Sequence, residues 1–433
     1  MERFSRSPAE KIKIALCLAA YLAIIPSSPI AAEPKTVAAD AASVDPETER
    51  VRRFLEDRVQ RDPDDILAQN RLAEIDLQRL RETGDYEWLR RAGEAARRSL
   101  ASVPAEQNPN GLFMQARVEY ESHHFAAARD CALSLTKIQP GKSRTFALLG
   151  DALLEFGEID QAAAAYQEMQ KRKGDPVESE TRLARLDLAR GALDSAQEHF
   201  TKALAAAQAL SPASSEIIAW CLVQSGQLEF NRGQWEAAER DFQTAIAERP
   251  GDVGALEHLG ELRAAQEKYS EAILLYDQVI ARMPRPEFYQ ALGDVYAAMG
   301  KQSEAATWHA RARDAYLKNA GAGNAHYFHH LAGFFSDTEE DPGEALKWAR
   351  LDLELRHTAA AEDTLAWSLY RGGEFAQAVE IEKKVLAQEN KDAHILFHAG
   401  MIFLAAGDSA RGKELLAQAA RINPRHMAFH VHR

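Results

Sequence analysis

The chain has 433 residues and a formal net charge of −13, and 46% of its residues are hydrophobic. This length exceeds that of one compact core, so it predicts several domains or an extended array. The composition excludes collagen-like and broadly disordered chains, and the acidic balance argues against nucleic acid as a partner, because duplex-binding proteins present a basic face.

Residues 1–32 have the pattern of an export signal. Four basic residues within the first 13 precede an apolar run of 12 residues at 14–25. The small-residue sequence PIAA follows at 29–32, which predicts cleavage after Ala32. The run is shorter than the roughly 20 residues that span a bilayer, so a cleaved signal peptide is favoured over a retained anchor. We therefore expect a periplasmic or secreted protein without a transmembrane segment in the mature chain, and a flexible leader at 33–46.

One series of small and aromatic residues recurs along the rest of the chain. Gly150 is followed by Gly157, Ala162 and Tyr166, and the same spacing returns further on. Anchored on one position, the units start at residues 109, 143, 177, 219, 253, 286, 326, 359 and 393. Most of these starts are about 34 residues apart, and such a period indicates a repeat architecture.

The series resembles the tetratricopeptide repeat, a helix–turn–helix unit with small residues at positions 8 and 20, an aromatic near 24 and proline near 32. The resemblance covers roughly residues 47–430 and implies an all-α fold, a right-handed α-solenoid of about ten repeats. We expect a capping helix and a degenerate first repeat at 47–108. A regular array would follow at 109–318, and a C-terminal array with an aromatic groove at 319–433.

The resemblance and the residues also predict details within the array. Glycines such as Gly157 are expected to end first helices with a positive φ, and Gly150 is expected to face Ala162 where two helices cross. Two longer spacings mark insertions at 208–216 and 318–326, and whether these are hinges stays open. The last residues lack a clear capping helix, which suggests an exposed apolar end and self-association through it.

In tetratricopeptide repeats, positions 2, 5, 9 and 12 of the first helix generally face a concave groove that binds peptides or partner helices. The resemblance therefore implies a groove that is acidic in its central units and aromatic, apolar and histidine-fringed towards the C-terminus. Its candidate residues are Trp220, Phe230, Glu257, Glu261, Asp294, Tyr327, His330, Phe334, Asp363, Trp367, Tyr370, His394, Phe397 and Met401. Apolar surface is costly to expose unless it binds something, and Trp and Tyr are favoured anchors. Alternatively, the aromatics pack between helices of a tightly wound superhelix, and the acidic face is only solvated surface.

The sequence offers little for catalysis. His394 and His398 are four residues apart and can share a helix face, but a third ligand and an HExxH glutamate are lacking, and His398 falls on an adjacent face. We therefore predict no metal, no cofactor and no enzyme. The leading hypothesis is a protein-binding scaffold or adaptor of the bacterial cell envelope, similar to exported tetratricopeptide repeat proteins. The alternatives are an accessory subunit of envelope polysaccharide or cell-wall biosynthesis or export, and a metal-dependent enzyme.

Overall fold

The computed structural model describes residues 46–388 and 391–429, and the predicted signal peptide and nearly all of the predicted leader lie outside these ranges. Every regular element in the described residues is helical, and none of these helices is both long and apolar enough to cross a membrane. Helix α1 (Pro46–Arg61) comes first and has no hairpin partner. Ten helical hairpins follow it, which confirms the predicted solenoid of helix–turn–helix repeats.

Each hairpin consists of a first helix, a short turn and a second helix. The first five pairs are α2 (Ile66–Thr83) with α3 (Glu87–Ser102), α4 (Pro109–Glu121) with α5 (Phe125–Ile138), α6 (Ser143–Phe156) with α7 (Ile159–Gln170), α8 (Pro176–Ala189) with α9 (Leu193–Gln208), and α10 (Ser215–Asn231) with α11 (Trp235–Glu248). Aspartate, asparagine, serine or threonine caps many first helices by accepting a backbone N–H, as Asp65 does from Ala68.

The next five hairpins continue the same alternation. They are α12 (Val253–Ala265) with α13 (Tyr269–Arg282), α14 (Pro286–Ala298) with α15 (Gln302–Gly321), α16 (Tyr327–Gly333) with α17 (Pro342–Leu355), α18 (Ala359–Arg371) with α19 (Phe375–Ala387), and α20 (Ala393–Ala405) with α21 (Ser409–Ile422). Helix α16 continues into a π-helical turn at Phe334–Thr338. The longer spacing near residue 318 is partly absorbed by α15, which extends to 20 residues. Whether either insertion is a hinge stays a prediction.

The glycine at position 8 of several repeats makes room for a ring from the second helix of the same hairpin. A Cβ at Gly150 would collide with Tyr166, one at Gly226 with Phe242, and one at Gly293 with His309. Each ring lies 16 residues after its glycine. The prediction that Gly150 faces Ala162 was therefore wrong in its partner, because the aromatic near position 24 occupies this space.

This packing predicts opposite effects of two glycine-to-alanine substitutions in helices. A Cβ at Gly226 would lie 2.6 Å from the Phe242 ring, so Gly226→Ala should lower the free energy of unfolding by about 1–3 kcal/mol through overpacking. At Gly254 the nearest atom to such a Cβ is 3.5 Å away, so Gly254→Ala should be neutral or stabilising by up to about 1 kcal/mol. Urea unfolding of both variants measures the difference, and equal losses would contradict the assigned packing.

The solenoid winds so closely that early repeats touch repeats that come much later in the chain. In the second repeat, His123 Nε2 lies 3.2 Å from Nδ1 of His326, which directly precedes α16. Tyr86 of the first repeat contacts the ring of Tyr327 edge-on, with centroids 5.8 Å apart. The first turns of the array therefore pack against the loops that precede later hairpins.

The same contact recurs one repeat further on. The backbone N–H of His357, just before α18, donates to the carbonyl of Phe156 at 3.3 Å, and their rings lie 5.5 Å apart. Gly157 has φ +92°, and a Cβ there would collide with the His357 carbonyl. Repeat three thus contacts the start of repeat nine, just as repeat two contacts the start of repeat eight. One superhelical turn consequently takes about six repeats.

The segment after α21 extends this contact to the fifth repeat. Asn423 and Pro424 lie against Gly233, and the Arg425 guanidinium lies 4.2 Å from the centroid of Trp235. Phe429 packs beside the apolar cluster of α10 to α13. The segment 423–429 therefore turns back onto earlier repeats, whereas the sequence suggested an exposed apolar end. Self-association stays a prediction.

Candidate functional site

The first helices of repeats five to ten, together with the π-helical turn and the segment 423–429, surround a cavity of about 580 Å³. This volume lies within the range of about 300–1,000 Å³ that is typical of ligand pockets. We call this space the central cavity. It exists because the six-repeat turn brings the first helices of successive units around a common axis.

The central cavity is lined by acids and histidines. Its carboxylates are those of Glu261, Asp294, Asp337, Asp363 and Asp392, and its histidines are His258, His329, His330, His394, His398 and His426. No lysine or arginine belongs to the lining in the described part of the chain. Such a wall favours a positively charged group, because attraction between opposite charges is strong where water is partly excluded.

The structure brings together a little over half of the predicted groove residues. Those that line the central cavity are Phe230, Glu261, Asp294, His330, Phe334, Asp363, Trp367 and His394. Those outside its lining are Trp220, Glu257, Tyr327, Tyr370, Phe397 and Met401. Around repeats eight to ten, several predicted residues therefore lie together in the wall of one partly open cavity, and their role in binding stays a prediction.

Three of the predicted groove aromatics differ in their surroundings. Tyr327 is 1% exposed and packs between Tyr86 and Tyr316, because the start of α16 lies in the contact between superhelical turns. Phe334 is fully buried in the same core, although its edge reaches the cavity wall. Trp220 is exposed at 43% and lies away from the cavity. Tyr327 is therefore a packing residue and not an exposed groove anchor, whereas the role of Trp220 stays a prediction.

Trp367 is held in the cavity wall by contacts on several sides. Its indole Nε1–H donates to the two Asp337 carboxylate oxygens at 3.0 and 3.1 Å, so the π-helical turn and α18 are joined there. Its ring stacks on His398, with centroids 3.8 Å apart, and on Tyr370, with centroids 4.7 Å apart. Tyr370 therefore supports Trp367 from outside the cavity lining. A ring fixed in this way contacts a ligand with little loss of conformational entropy.

The acids of the central units also pair with histidines. Asp294 Oδ1 lies 2.8 Å from His309 Nε2, and Glu261 Oε2 lies 3.4 Å from Nδ1 of His258. Glu261 is 2% exposed, so this carboxylate is part of the wall and not solvated surface. Glu257, by contrast, is half-buried and lies outside the cavity lining.

The most deeply buried acids of the site are Asp363 and Glu382. Nδ1 of His398 lies 2.9 Å from Oδ2 of Asp363, and both residues are buried. Glu382 on α19 is fully buried beside Asp363. Burial, together with the Asp363 carboxylate, raises the pKa of Glu382 to about 11, so Glu382 is protonated at neutral pH. Burial also raises the pKa of Asp363.

Sequence reasoning missed several lining residues. His258 lies at position 6 of its repeat, a position that groove geometry does not select, and Asp392 lies before α20, where its side chain caps the helix by accepting from His394 N–H. His426 and Phe429 follow the last hairpin and reach the cavity only because the segment 423–429 turns back. Only the N-cap pattern of Asp392 is readable in the sequence.

Comparison with known proteins agrees with the repeat geometry. Residues 113–176 and 224–285 match the family described as tetratricopeptide repeat. Both matches lie in hairpins of the solenoid, and the same hairpin continues through the described residues before, between and after them. The fold thus defines an all-α repeat solenoid, a class whose curved arrays provide extended concave binding surfaces. The matched residues are similar to tetratricopeptide repeats, and the other described hairpins repeat the same helix–turn–helix architecture.

Solved structures of low sequence identity are also similar to the chain. MamA is 24% identical over 40% of this chain and 97% of its own, with a TM-score of 0.32. Yeast Tom70 is 13% identical over 82% of this chain and 92% of its own, with a TM-score of 0.37. Human IFIT1, solved as a dimer with PPP-AAAA, is 11% identical over 88% and 96%, with a TM-score of 0.45. These values identify no function, and no curated protein matches the chain significantly.

Proposed function

We propose that this protein is a binding scaffold that captures a partner protein by enclosing a short basic segment of it in the central cavity. The observation that carries the proposal is the lining itself, in which acids and histidines surround the space and the described residues contribute no lysine or arginine. These carboxylates attract an arginine or lysine side chain, and Trp367, held by Asp337, His398 and Tyr370, borders the space that such a side chain would enter.

The size of the central cavity limits what enters it. About 580 Å³ suits a few side chains of a partner and not a helix of many turns. The close winding of the solenoid also limits the size of the ligand, because contacts between late and early repeats leave little room along the axis. Such contacts join the starts of repeats eight and nine to repeats two and three, and the segment 423–429 to repeat five. The binding mode is thus narrower than the peptide or helix groove expected from the sequence, and the rest of the partner would contact the outer surface.

We also propose that the protein works in the bacterial cell envelope after export. The support is the pattern of residues 1–32, in which basic residues, a short apolar run and a small-residue site follow one another. Under this proposal the mature protein is periplasmic or secreted and acts as an adaptor. Fractionation of cells that express the full chain, with sequencing of the mature N-terminus, tests both the location and the cut after Ala32.

Removal of the Trp367 ring should abolish most of the binding. We expect Trp367→Ala to weaken the binding of arginine-containing pentapeptides selected from a library by about 30-fold, because tryptophans in a binding site are typical hot spots worth about 2 kcal/mol. Fluorescence anisotropy with labelled peptides measures the affinity, and circular dichroism checks that helicity is unchanged.

Trp220→Ala is the matched control, because Trp220 is an exposed tryptophan on a first helix outside the cavity. The affinity of Trp220→Ala for the peptides should equal that of the unsubstituted chain. Equal losses in both variants would contradict the proposed location of the site. Binding of purified oligosaccharide in place of peptides would instead favour the accessory role in envelope polysaccharide or cell-wall biosynthesis or export.

A further inference from the structure

One wall of the central cavity brings together three side chains with the chemistry of metal ligands. Asp363 comes from α18, and His394 and His398 come from α20 of the next repeat. Each offers one ligand atom, and these atoms all lie within 4.8 Å of one another. Asp363 and His398 are buried and His394 is half-buried, and all three line the cavity.

We propose that Asp363, His394 and His398 bind a divalent transition-metal ion of the zinc class. Two imidazole nitrogens and one carboxylate oxygen are a donor set that Zn²⁺ takes in protein sites that keep a further position open. This metal site is separate from the proposed binding of a basic segment. The sequence alone predicted that the protein binds no metal, and the proposed site departs from that prediction. The third ligand was not visible in the sequence because it comes from the neighbouring repeat.

The local geometry requires only small movements to form the site. Ligands at about 2.0–2.2 Å from Zn²⁺ lie at most about 4 Å apart, so the side chains must approach by roughly 1 Å. The rings of His394 and His398 already have centroids 3.9 Å apart, and His394 is half-buried. Stacking on Trp367 fixes the plane of the His398 ring. When the ion binds, it replaces the hydrogen bond between His398 and Asp363, and a proton on the coordinating nitrogen leaves to solvent.

The surroundings of Asp363 also favour a cation. Its Oδ1 is buried, and Asp363 shares a side-chain hydrogen bond with the neutral carboxyl group of Glu382, which brings no positive charge. Within the described residues the ion-pair partner of Asp363 is His398. A buried carboxylate is stable only when a cation or several hydrogen-bond donors compensate it. A bound divalent ion would supply that compensation, and its open position would face the central cavity.

Metal titration of the untagged full-length chain tests the proposal. After dialysis against a chelator, calorimetry with Zn²⁺ should give one ion per chain, and Co²⁺ at the same stoichiometry should produce visible absorption. His394→Gln and His398→Gln should each weaken binding at least about 100-fold, since each removes a ligand. His329→Gln is the control, because His329 lines the same cavity but lies outside the three-residue set, and its affinity should be unchanged.

Circular dichroism of each variant checks folding, and the half-buried His394 provides the substitution that the fold tolerates best. No binding at micromolar Zn²⁺, or binding that survives both His394→Gln and His398→Gln, would overturn the proposal and assign any bound ion to other histidines. Because the titration contains no peptide, its failure would leave the proposed binding of basic segments untouched. Conversely, a failure to bind basic peptides would leave the measured number of zinc ions per chain, and so the metal proposal, unchanged.

Discussion

Gly157→Ala should separate the third repeat from the start of the ninth and lower the free energy of unfolding by about 2–5 kcal/mol. Part of this loss, about 1–2 kcal/mol, comes from forcing a side chain into the left-handed region at φ +92°. The remainder, about 1–3 kcal/mol, arises because the new Cβ would meet the backbone carbonyl of His357, which cannot rotate away as a side chain would. The hydrogen bond from His357 N–H to the Phe156 carbonyl would be lost with the contact.

Gly407→Ala is the control for this experiment. Gly407 ends the first helix of the tenth repeat with φ +94°, yet a Cβ there would meet nothing within 4 Å. The Gly407→Ala variant should therefore lose only the stability that the left-handed backbone conformation costs an alanine. Its radius of gyration in solution scattering should be unchanged. We expect Gly157→Ala to increase the radius of gyration and to speed hydrogen exchange around His357. Indistinguishable behaviour of the two variants would contradict the contact between superhelical turns.

Acidification should also weaken the contact between superhelical turns, at the place where His123 meets His326. Burial lowers the pKa of His123 to about 3 and holds that of His326 well below its usual range. In the unfolded chain both rings take up a proton near pH 6.5, whereas in the folded chain they do not until much lower pH. The unfolded state therefore binds more protons as pH falls, and the free energy of unfolding decreases below about pH 6.5.

The expected size is up to about 2 kcal/mol for each ring at pH 5, since one pH unit corresponds to about 1.4 kcal/mol for one proton. The charged groups that act on these rings are Asp352, which favours the protonated form, and Arg285 and Arg356 together with His124 and His329, which oppose it. Urea unfolding at pH 7 and pH 5 should show a smaller loss in His123→Asn than in the unsubstituted chain, by about 2 kcal/mol.

The neighbouring His124 offers a matched control for the acid effect. Its side chain is 51% exposed and lies beside Glu119, so His124→Asn leaves the His123 ring buried and should keep most of the pH dependence of the unsubstituted chain. Carboxyl groups of raised pKa, such as Asp76, change stability in the opposite direction, but they are shared by all three proteins and cancel in the comparison. An identical pH dependence in His123→Asn and the unsubstituted chain would show that His123 is not buried in its neutral form.

The sequence was sufficient for the parts of the fold that depend on local residues. The repeat period predicted the hairpins, and Gly157, Gly233 and Gly300 end first helices with positive φ as expected. These features could be predicted because a turn or a helix end is determined by a few adjacent residues. The partner of Gly150 was assigned incorrectly, because both Ala162 and Tyr166 lie on the facing helix and only packing decides between them.

The winding of the solenoid could not be predicted in the same way. It results from small rotations between successive repeats, which add up over six units and are not encoded by any single position. For this reason Tyr327 was assigned to a groove although its partner Tyr86 lies in the first repeat. His398 was assigned to an adjacent face for a related reason, since its contacts with Asp363 and Trp367 cross from one repeat to the next.

We expect the central cavity to recognise a positive charge. The most direct measurement compares arginine-containing pentapeptides with the same peptides carrying citrulline, which has nearly the same shape as arginine but no charge. We expect titration of the full-length chain to show binding of the arginine peptides and an affinity at least about 30-fold lower for their citrulline counterparts, because a desolvated charge pair is worth about 2 kcal/mol or more. Equal affinity for the two peptides would contradict this expectation.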